Sequence, residues 1–198
     1  MGLTKPFAFM GAGTQLTTDG LVVYLDAGDT DSYPGSGTSW LDISGQGNNF
    51  TLVNSPTHTS GDTGYFEFNG SNQYVEDDTS NDMIFTSDDD TNVITIESLV
   101  NTDTTSGYRA IATFWGQDAG NTQRWWHGNS GFSPGSIHWA LRESVAAGNG
   151  SQFYNSSETF FTTGDWLHIV SVVNFSNNTI NSYLNNTHTT VDATLTVD

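Results

Sequence analysis

Apolar residues recur along the chain in short runs, separated by stretches rich in Gly, Asn, Ser and Asp. In residues 137–142 they alternate with other residues, which puts Ile137 and Trp139 on one face of a strand and His138 on the other. We expect the His138 face to be wet or to line a groove. Residues 167–173 are apolar on both faces, which is typical of a central strand that is covered on both sides.

The same pattern predicts a series of strands with turns between them. The predicted segments are residues 21–26, 65–70, 73–76, 93–100, 109–115, 136–142, 151–154, 167–173 and 180–184, the last two forming a hairpin around 174–178. Many short strands at short spacing predict an all-β fold, an antiparallel two-sheet sandwich or jelly roll. Because 198 residues suit one domain and no repeat or linker interrupts residues 20–198, we expect a single domain there.

Residues 1–19 precede the first predicted strand and form an apolar, glycine-containing N-terminal arm. Phe7, Phe9 and Met10 lie close together in this arm. It is either a disordered or edge-packed terminus, or a docking peptide whose three large side chains fill a pocket on a partner. Its apolar run is short and broken, so we expect neither a signal peptide nor a membrane span there.

The charge of the chain restricts its partners. Four Lys and Arg residues stand against 22 Asp and Glu residues, which gives a formal net charge of -18. Such a surface repels phosphate backbones and anionic lipids, so we expect neither nucleic acid nor a membrane as a partner. The chain has no cysteine, which excludes disulfides and thiolate metal sites.

Four segments together resemble the LamG-like, concanavalin A-like lectin and glucanase superfamily: residues 20–54, 65–76, 94–100 and 164–186. The matching motifs are the turn WLDISG at 40–45, the hairpin FNG…YV at 68–75, the strand opening WLH at 166–168 and the hairpin end YLNN at 183–186. The resemblance implies an antiparallel two-sheet jelly roll, but it implies little about function, because such sandwiches host enzymes, lectins and virion parts alike.

The chain departs from this family pattern in three ways. Leu99 stands where many relatives carry a core Trp, and Asn186 replaces the usual hairpin Gly, which is tolerable because Asn enters left-handed conformations. Relatives also add one or two strands beyond the region that ends at Asp198. We expect the sheet to be completed in another way, for instance by a partner strand, or its edge to be exposed.

A second resemblance concerns the phrase YLDAGDTDSYPGSGTSWLDISGQGN at 24–48 and the leader KPFAFMGA at 5–12. Both are similar to virion structural proteins of tailed bacteriophages, especially marine ones. The similarity implies a protein that is assembled in the host cytoplasm and exposed on the particle, with the arm as an assembly peptide that binds other virion proteins. Phage coats commonly use symmetric oligomers, so we also expect a homo-oligomer.

Catalysis is not expected. Jelly-roll glycanases need carboxylates spaced as Glu-x-Asp-x-x-Glu on one strand face, and the acidic clusters at 76–78 and 88–90 lack that spacing. The five His residues form no His-x-His or His-x-x-x-His pair. His168 matches a structural position of the family, where we expect it to pack and to form hydrogen bonds.

Two kinds of ligand remain open, the first of which is a cation. Oxygen-rich loops suit Ca²⁺, and the candidate ligands are Asp88, Asp89 and Asp90, or alternatively Asp29 and Asp31. The alternative reading is that these acidic loops are simply solvated. No other cofactor is expected.

The second kind of ligand is a glycan. Sugars stack on exposed aromatic faces, and the segment at 121–132 contains Arg124, Trp125, Trp126 and His127 in succession. If this segment is extended, the two Trp side chains point to opposite faces, so one enters the core while the other is exposed beside His127 or Arg124. Alternatively, both Trp side chains pack, one in the core and one under a loop.

The sequence therefore predicts a non-enzymatic phage virion surface protein, a capsid fibre or decoration or a tail component, that serves adhesion to host or environmental glycans or particle assembly. The alternative is a free carbohydrate-binding lectin. A glycanase is disfavoured because the carboxylate pattern is missing.

Overall fold

The structure is a computed structural model. It describes residues 18–61, 63–77, 93–115, 124–142, 152–155, 159–174, 176–177, 179–185 and 187–194, with the backbone alone for residues 114–115, 124, 141–142, 152–155 and 187–194. Across these ranges the regular elements are thirteen β-strands and no helix, so the all-β prediction is confirmed. Chain contacts define two compact units, residues 1–83 and 84–198, each described by itself.

Unit 1 contains two small antiparallel sheets. Strands β1 (Ser39–Trp40), β2 (Phe50–Val53) and β5 (Tyr74–Asp77) form the first, in the order β1-β2-β5. Strands β3 (Thr57–Thr59) and β4 (Tyr65–Glu67) form the second.

An aromatic core holds unit 1 together. The Phe66 ring lies within 5.1 Å, centre to centre, of the rings of Tyr33, Trp40 and His58. Tyr33 is buried and meets both Phe66 and His58 edge to face, a geometry that aromatic pairs favour. Contact among these rings supplies apolar packing that such short strands cannot provide alone.

The prediction of a strand at residues 21–26 is wrong, because this segment belongs to no strand. Its backbone is bonded to a turn instead of a neighbouring strand. The Tyr24 N–H donates to Asp42 Oδ1 at 2.8 Å, while the Val22 carbonyl accepts bonds from Ser44 Oγ and Asn48 Nδ2. Side chains of the turn therefore satisfy groups that a sheet ladder would otherwise pair.

Asp42 organises this turn. Its Oδ1 accepts bonds from the backbone N–H groups of Tyr24 and Ser44, both at 2.8 Å, and its Oδ2 accepts from Ser44 Oγ at 2.7 Å and Asn48 N at 3.0 Å. Burial raises the pKa of the Asp42 carboxyl, but these hydrogen bonds together outweigh burial and hold its pKa below the ordinary value. The ionised carboxylate thus stabilises the folded turn.

We predict that Asp42→Ala lowers the free energy of unfolding by about 2–4 kcal/mol, because several hydrogen bonds to an ionised acceptor are lost. Chemical denaturation at neutral pH measures the change. Since the pKa is lowered in the folded state, the part of this stabilisation that depends on ionisation of Asp42 is present above the unfolded pKa of 3.8 and is lost as pH falls through the folded pKa. The exposed Glu76→Gln variant is the control, and an equal loss in both variants would contradict the role of Asp42.

Unit 2 contains two four-stranded antiparallel sheets, here called the inner-hairpin sheet and the tryptophan sheet. The inner-hairpin sheet has the order β13-β12-β11-β6, where β6 is Val93–Asn101, β11 is Trp166–Asn174, β12 is Thr179–Leu184 and β13 is Thr187–Thr194. The tryptophan sheet has the order β10-β9-β8-β7, where β7 is Arg109–Trp115, β8 is Arg124–Asn129, β9 is Ile137–Arg142 and β10 is Gln152–Asn155.

The two sheets of unit 2 face each other across one hydrophobic core. Trp139 and Ile137 of the tryptophan sheet belong to the same buried cluster as Ile169, Val173 and Ile180 of the inner-hairpin sheet. This arrangement satisfies the requirement that each sheet cover an apolar face.

Strand β11 lies between β12 and β6, so the predicted central position is confirmed. The predicted cover on both sides is complete on one face and partial on the other. Burial alternates along β11: Leu167, Ile169, Ser171 and Val173 are buried, while the residues between them are only partly buried. The apolar residues of the second face thus mark partial cover rather than a second core.

Strand β13 was missed by the sequence pattern. It pairs with β12 through a tight connection in which Asn185 takes a left-handed conformation, with φ of 47°. Asn tolerates this conformation better than most residues do. It is the edge strand of its sheet, next to β12.

Candidate ligand-binding site

Strand β8 divides the two adjacent Trp residues between the faces of the tryptophan sheet. Trp125 packs against the core of unit 2, with its ring centre 6.2 Å from that of Trp139. Trp126 lies on the opposite face, where its ring centre is 5.2 Å from that of His138 and 5.7 Å from that of Tyr108. The two-residue period of an extended strand produces this division.

His127 shares the core face with Trp125 and is fully buried. Its Nε2 is 3.0 Å from Ser171 Oγ, which lies 2.9 Å from Ser182 Oγ, so a polar chain crosses from one sheet to the other. The sequence grouped His127 with a surface that contacts a glycan. This placement is corrected, because a side chain without exposed surface cannot touch a surface ligand.

Burial also determines the charge of His127. Removal from water lowers its pKa from 6.5 to about 3, so the ring is neutral at physiological pH. A His beside a Ser has the composition of a base and nucleophile pair. Both residues are fully buried, however, so a substrate cannot reach Ser171 in this conformation.

We predict that unit 2 loses stability in mild acid because of His127. The unfolded chain takes up a proton near pH 6.5 while the folded ring resists protonation down to about pH 3. Protonation of the unfolded chain therefore leaves the free energy of unfolding unaffected above pH 6.5 and lowers it as pH falls. The expected decrease is about 2 kcal/mol between pH 7.5 and pH 5. Denaturant unfolding at both pH values measures it.

The matched variants for this prediction are His127→Gln and His58→Gln, the second in unit 1. His127→Gln lowers the free energy of unfolding at pH 7.5 but flattens its pH dependence, and His58→Gln is the control for replacement of a His in unit 1. An unaltered slope in His127→Gln would refute the assignment.

The outer face of the tryptophan sheet carries four aromatic rings, here called the aromatic cluster: Tyr108, Trp126, Phe132 and His138. Tyr108 is central, with ring centres at 5.7 Å from Trp126, 5.6 Å from Phe132 and 5.5 Å from His138. Phe132 is 79% exposed and Tyr108 is 45% exposed. The cluster therefore offers accessible apolar surface.

His138 lies at the base of the aromatic cluster. It is buried, with Tyr108 and Trp126 both packed against its ring. Of the two predicted alternatives for the His138 face of β9, wet or lining a groove, direct contact of His138 with water is therefore wrong at this position. Neighbouring aromatic side chains cover it, and these neighbours, rather than His138, face the solvent.

Buried polar groups hold the two loops that carry Tyr108 and Phe132. The Asn129 amide donates from Nδ2 to the Thr105 and Gly107 carbonyls at 2.9 and 2.6 Å, and its Oδ1 accepts from the Gly135 N–H at 2.9 Å. Asn129 is itself buried. One side chain thus connects the loop before β7 to the loop after β8.

The second loop is fixed further at its start. Ser130 Oγ accepts bonds from the N–H groups of Phe132 and Ser133, at 3.2 and 3.0 Å. A Cβ atom at Gly131 would lie 2.6 Å from the Tyr108 ring, so only glycine allows this approach. The backbone of the loops that carry the exposed rings is therefore fixed by these contacts.

The remaining predicted site residues lie wholly or in part outside the described residues. Arg124 begins β8, opposite Trp115 on one neighbouring strand and Arg142 on the other, and its side chain lies outside the description. Asp88, Asp89 and Asp90 of the calcium prediction fall outside the described residues. The same is true of the docking residues Phe7, Phe9 and Met10.

Asp29 and Asp31, the alternative cation ligands, lie in a turn where Asp29 Oδ1 accepts the Asp31 N–H at 2.9 Å. Across the described ranges, three or more His, Asp or Glu side chains are nowhere grouped as a metal site would require. A membrane-crossing helix is likewise missing from the part of the chain that the structure describes.

His168 lies on the outer face of the other sheet. Its Nε2 is 2.8 Å from Glu97 Oε1, and the side chain is mostly buried while that of Glu97 is partly exposed. The expectation that His168 packs and forms hydrogen bonds is confirmed.

Sequence reasoning missed Tyr108 and Phe132. Each stands alone among small turn residues, in TTSGY and NSGFSPGS. A large aromatic residue inside a turn, away from any apolar period, is the signal that could have indicated an exposed ring. No family model, curated protein or solved structure matches this chain.

Proposed function

We propose that this chain is a non-enzymatic surface protein of a tailed-phage particle, a capsid fibre or decoration or a tail component, whose aromatic cluster binds glycans. The observation that carries the binding proposal is the exposure of Phe132 and Tyr108 on loops fixed by buried polar groups. The virion assignment is supported by the resemblance of residues 24–48 and of the leader at 5–12. A LamG-like jelly roll is the fold we propose for residues 20–198.

The aromatic cluster suits a sugar for physical reasons. A sugar ring presents patches of C–H groups that stack on aromatic faces, surrounded by hydroxyls that require polar partners. A ring as exposed as Phe132 loses the benefit of burial unless it meets a ligand or partner. Fixing the loops in advance reduces the entropy lost on binding, which is what a binding site requires.

Binding without turnover fits the polar groups of unit 2. The pair formed by His127 and Ser171 is buried, which argues against their use as a base and a nucleophile. The carboxylate spacing of jelly-roll glycanases is missing from the sequence. Both points favour adhesion over hydrolysis.

We predict that Phe132→Ala and Tyr108→Ala each weaken glycan binding by about tenfold or more, because an aromatic contact with a ligand contributes about 1.5 kcal/mol or more. A glycan array with the purified protein, with and without Ca²⁺, identifies the ligand, and calorimetry measures the change. The addition of Ca²⁺ also tests the candidate site at Asp88, Asp89 and Asp90.

The control for this experiment is Tyr74→Ala. Tyr74 is 49% exposed, close to the 45% of Tyr108, but it lies in unit 1. Equal losses in Tyr74→Ala and Tyr108→Ala would remove the aromatic cluster from the proposal. Failure to bind any glycan under either condition would reject adhesion and leave an assembly role.

The alternative function, a free lectin, differs in location rather than in chemistry. We propose that residues 1–19 attach the protein to other virion proteins, with Phe7, Phe9 and Met10 as the apolar anchors. The attached copies form a homo-oligomer, as phage surface proteins commonly do.

Deletion of residues 2–12 is therefore expected to abolish incorporation into particles while leaving the unfolding transition of unit 2 unchanged. Labelling of purified particles and mass spectrometry of their proteins measure incorporation. The full-length chain is the positive control. A deleted protein that still enters particles would eliminate the docking arm, and a full-length protein absent from particles would favour the free lectin.

A further inference from the structure

The orientation of the exposed rings restricts the shape of what the aromatic cluster can bind. The plane of the Tyr108 ring makes an angle of 90° with that of Phe132 and 86° with that of Trp126. Rings that grip a flat, ordered surface have to lie in one plane, so that all faces touch it together. Here a planar surface that lies against Phe132 meets the edge of Tyr108.

The accessible surface is concentrated at one corner of the cluster. Phe132 is 79% exposed, Tyr108 is 45% exposed and Trp126 is only partly exposed. The ring centres of Phe132 and Tyr108 lie 5.6 Å apart and the ring planes are perpendicular. The two rings therefore form a right-angled corner at the surface. A single sugar residue that projects from a chain can enter such an angle, whereas a packed polysaccharide sheet cannot.

Charge restricts the ligand in a second way. The formal net charge of -18 gives the chain a negative field that repels polyanions such as uronates and sulfated glycans. Arg109, beside Tyr108, is one of only four basic residues, and its Nη1 donates to the Tyr108 carbonyl at 3.2 Å. That guanidinium is partly engaged with backbone, so an uncharged sugar suits the site better than an acidic one.

We propose that the corner between Tyr108 and Phe132 binds an uncharged sugar residue of a free polysaccharide chain, and that it excludes both polyanionic glycans and the ordered surfaces of insoluble ones. This inference rests on the proposed glycan binding and specifies its ligand class. The perpendicular rings set the shape preference, and the acidic chain sets the charge preference.

The test is native affinity electrophoresis of the full-length protein in gels that contain soluble neutral polysaccharides, namely mannan, galactomannan, dextran and mixed-linkage glucan, or the polyanions alginate and chondroitin sulfate. Sedimentation with microcrystalline cellulose and chitin tests ordered surfaces. We expect retardation by at least one neutral polymer, no retardation by the polyanions and no sedimentation.

The variants Phe132→Ala, Arg109→Gln and Tyr74→Ala identify the groups responsible. We expect Phe132→Ala to weaken retardation by about tenfold, and the other two variants to leave it unchanged. Because the Phe132 side chain is largely exposed, its removal leaves the fold intact, which the unfolding transition verifies.

Three results would overturn the inference while sparing glycan binding itself. They are retardation by a polyanion that salt and Arg109→Gln reduce, sedimentation with an insoluble polysaccharide that Phe132→Ala abolishes, and neutral binding that Phe132→Ala does not change. Absence of binding to every polymer, together with a blank glycan array, would reject the proposed glycan binding and this inference together.

Discussion

The two-residue period of strand β8 is the constraint on which both the core and the candidate site of unit 2 depend. Because successive side chains of an extended strand point to opposite faces, Trp125 and His127 enter the core while Trp126 joins the aromatic cluster. A shift of one residue would exchange the two sets. It would expose His127 and bury Trp126, and neither the core nor the surface cluster would remain.

Polar groups inside unit 2 reinforce this register. The chain from His127 through Ser171 to Ser182 links the two sheets at one relative position, since the hydrogen bonds fail if either strand slides. Asn129, two residues further along β8, holds the loops of the aromatic cluster through its own hydrogen bonds. The packing of the core and the placement of the exposed rings are therefore connected through residues 127–130.

Segments with a clear apolar run or alternation could be predicted from the sequence even when short, as β4 was, whereas segments without one, such as the eight-residue strand β13, could not. Strands β6, β7, β9 and β11 could be predicted because their sequences alternate between apolar and polar residues or are continuously apolar. Strands β1 and β3 have two and three residues, too few to show such a pattern. The segment at 21–26 has strand composition, but Asp42 and its turn take up its backbone groups. The composition of a segment indicates its intrinsic preference for strand structure, but the groups that bond to its backbone decide whether a strand forms.

The site was predictable in part, for a related reason. Trp126 stands out in the sequence, but Tyr108 and Phe132 join it only because β7 pairs with β8 and the next loop folds back, which no local pattern reveals. The prediction that His127 contacts a glycan was wrong because a polar residue was assumed to lie at the surface. The burial of His127 has a further consequence. Its ring N–H proton is shielded from water, so exchange with deuterium requires the two sheets of unit 2 to separate. The resonance of this one imidazole would therefore report how often unit 2 opens.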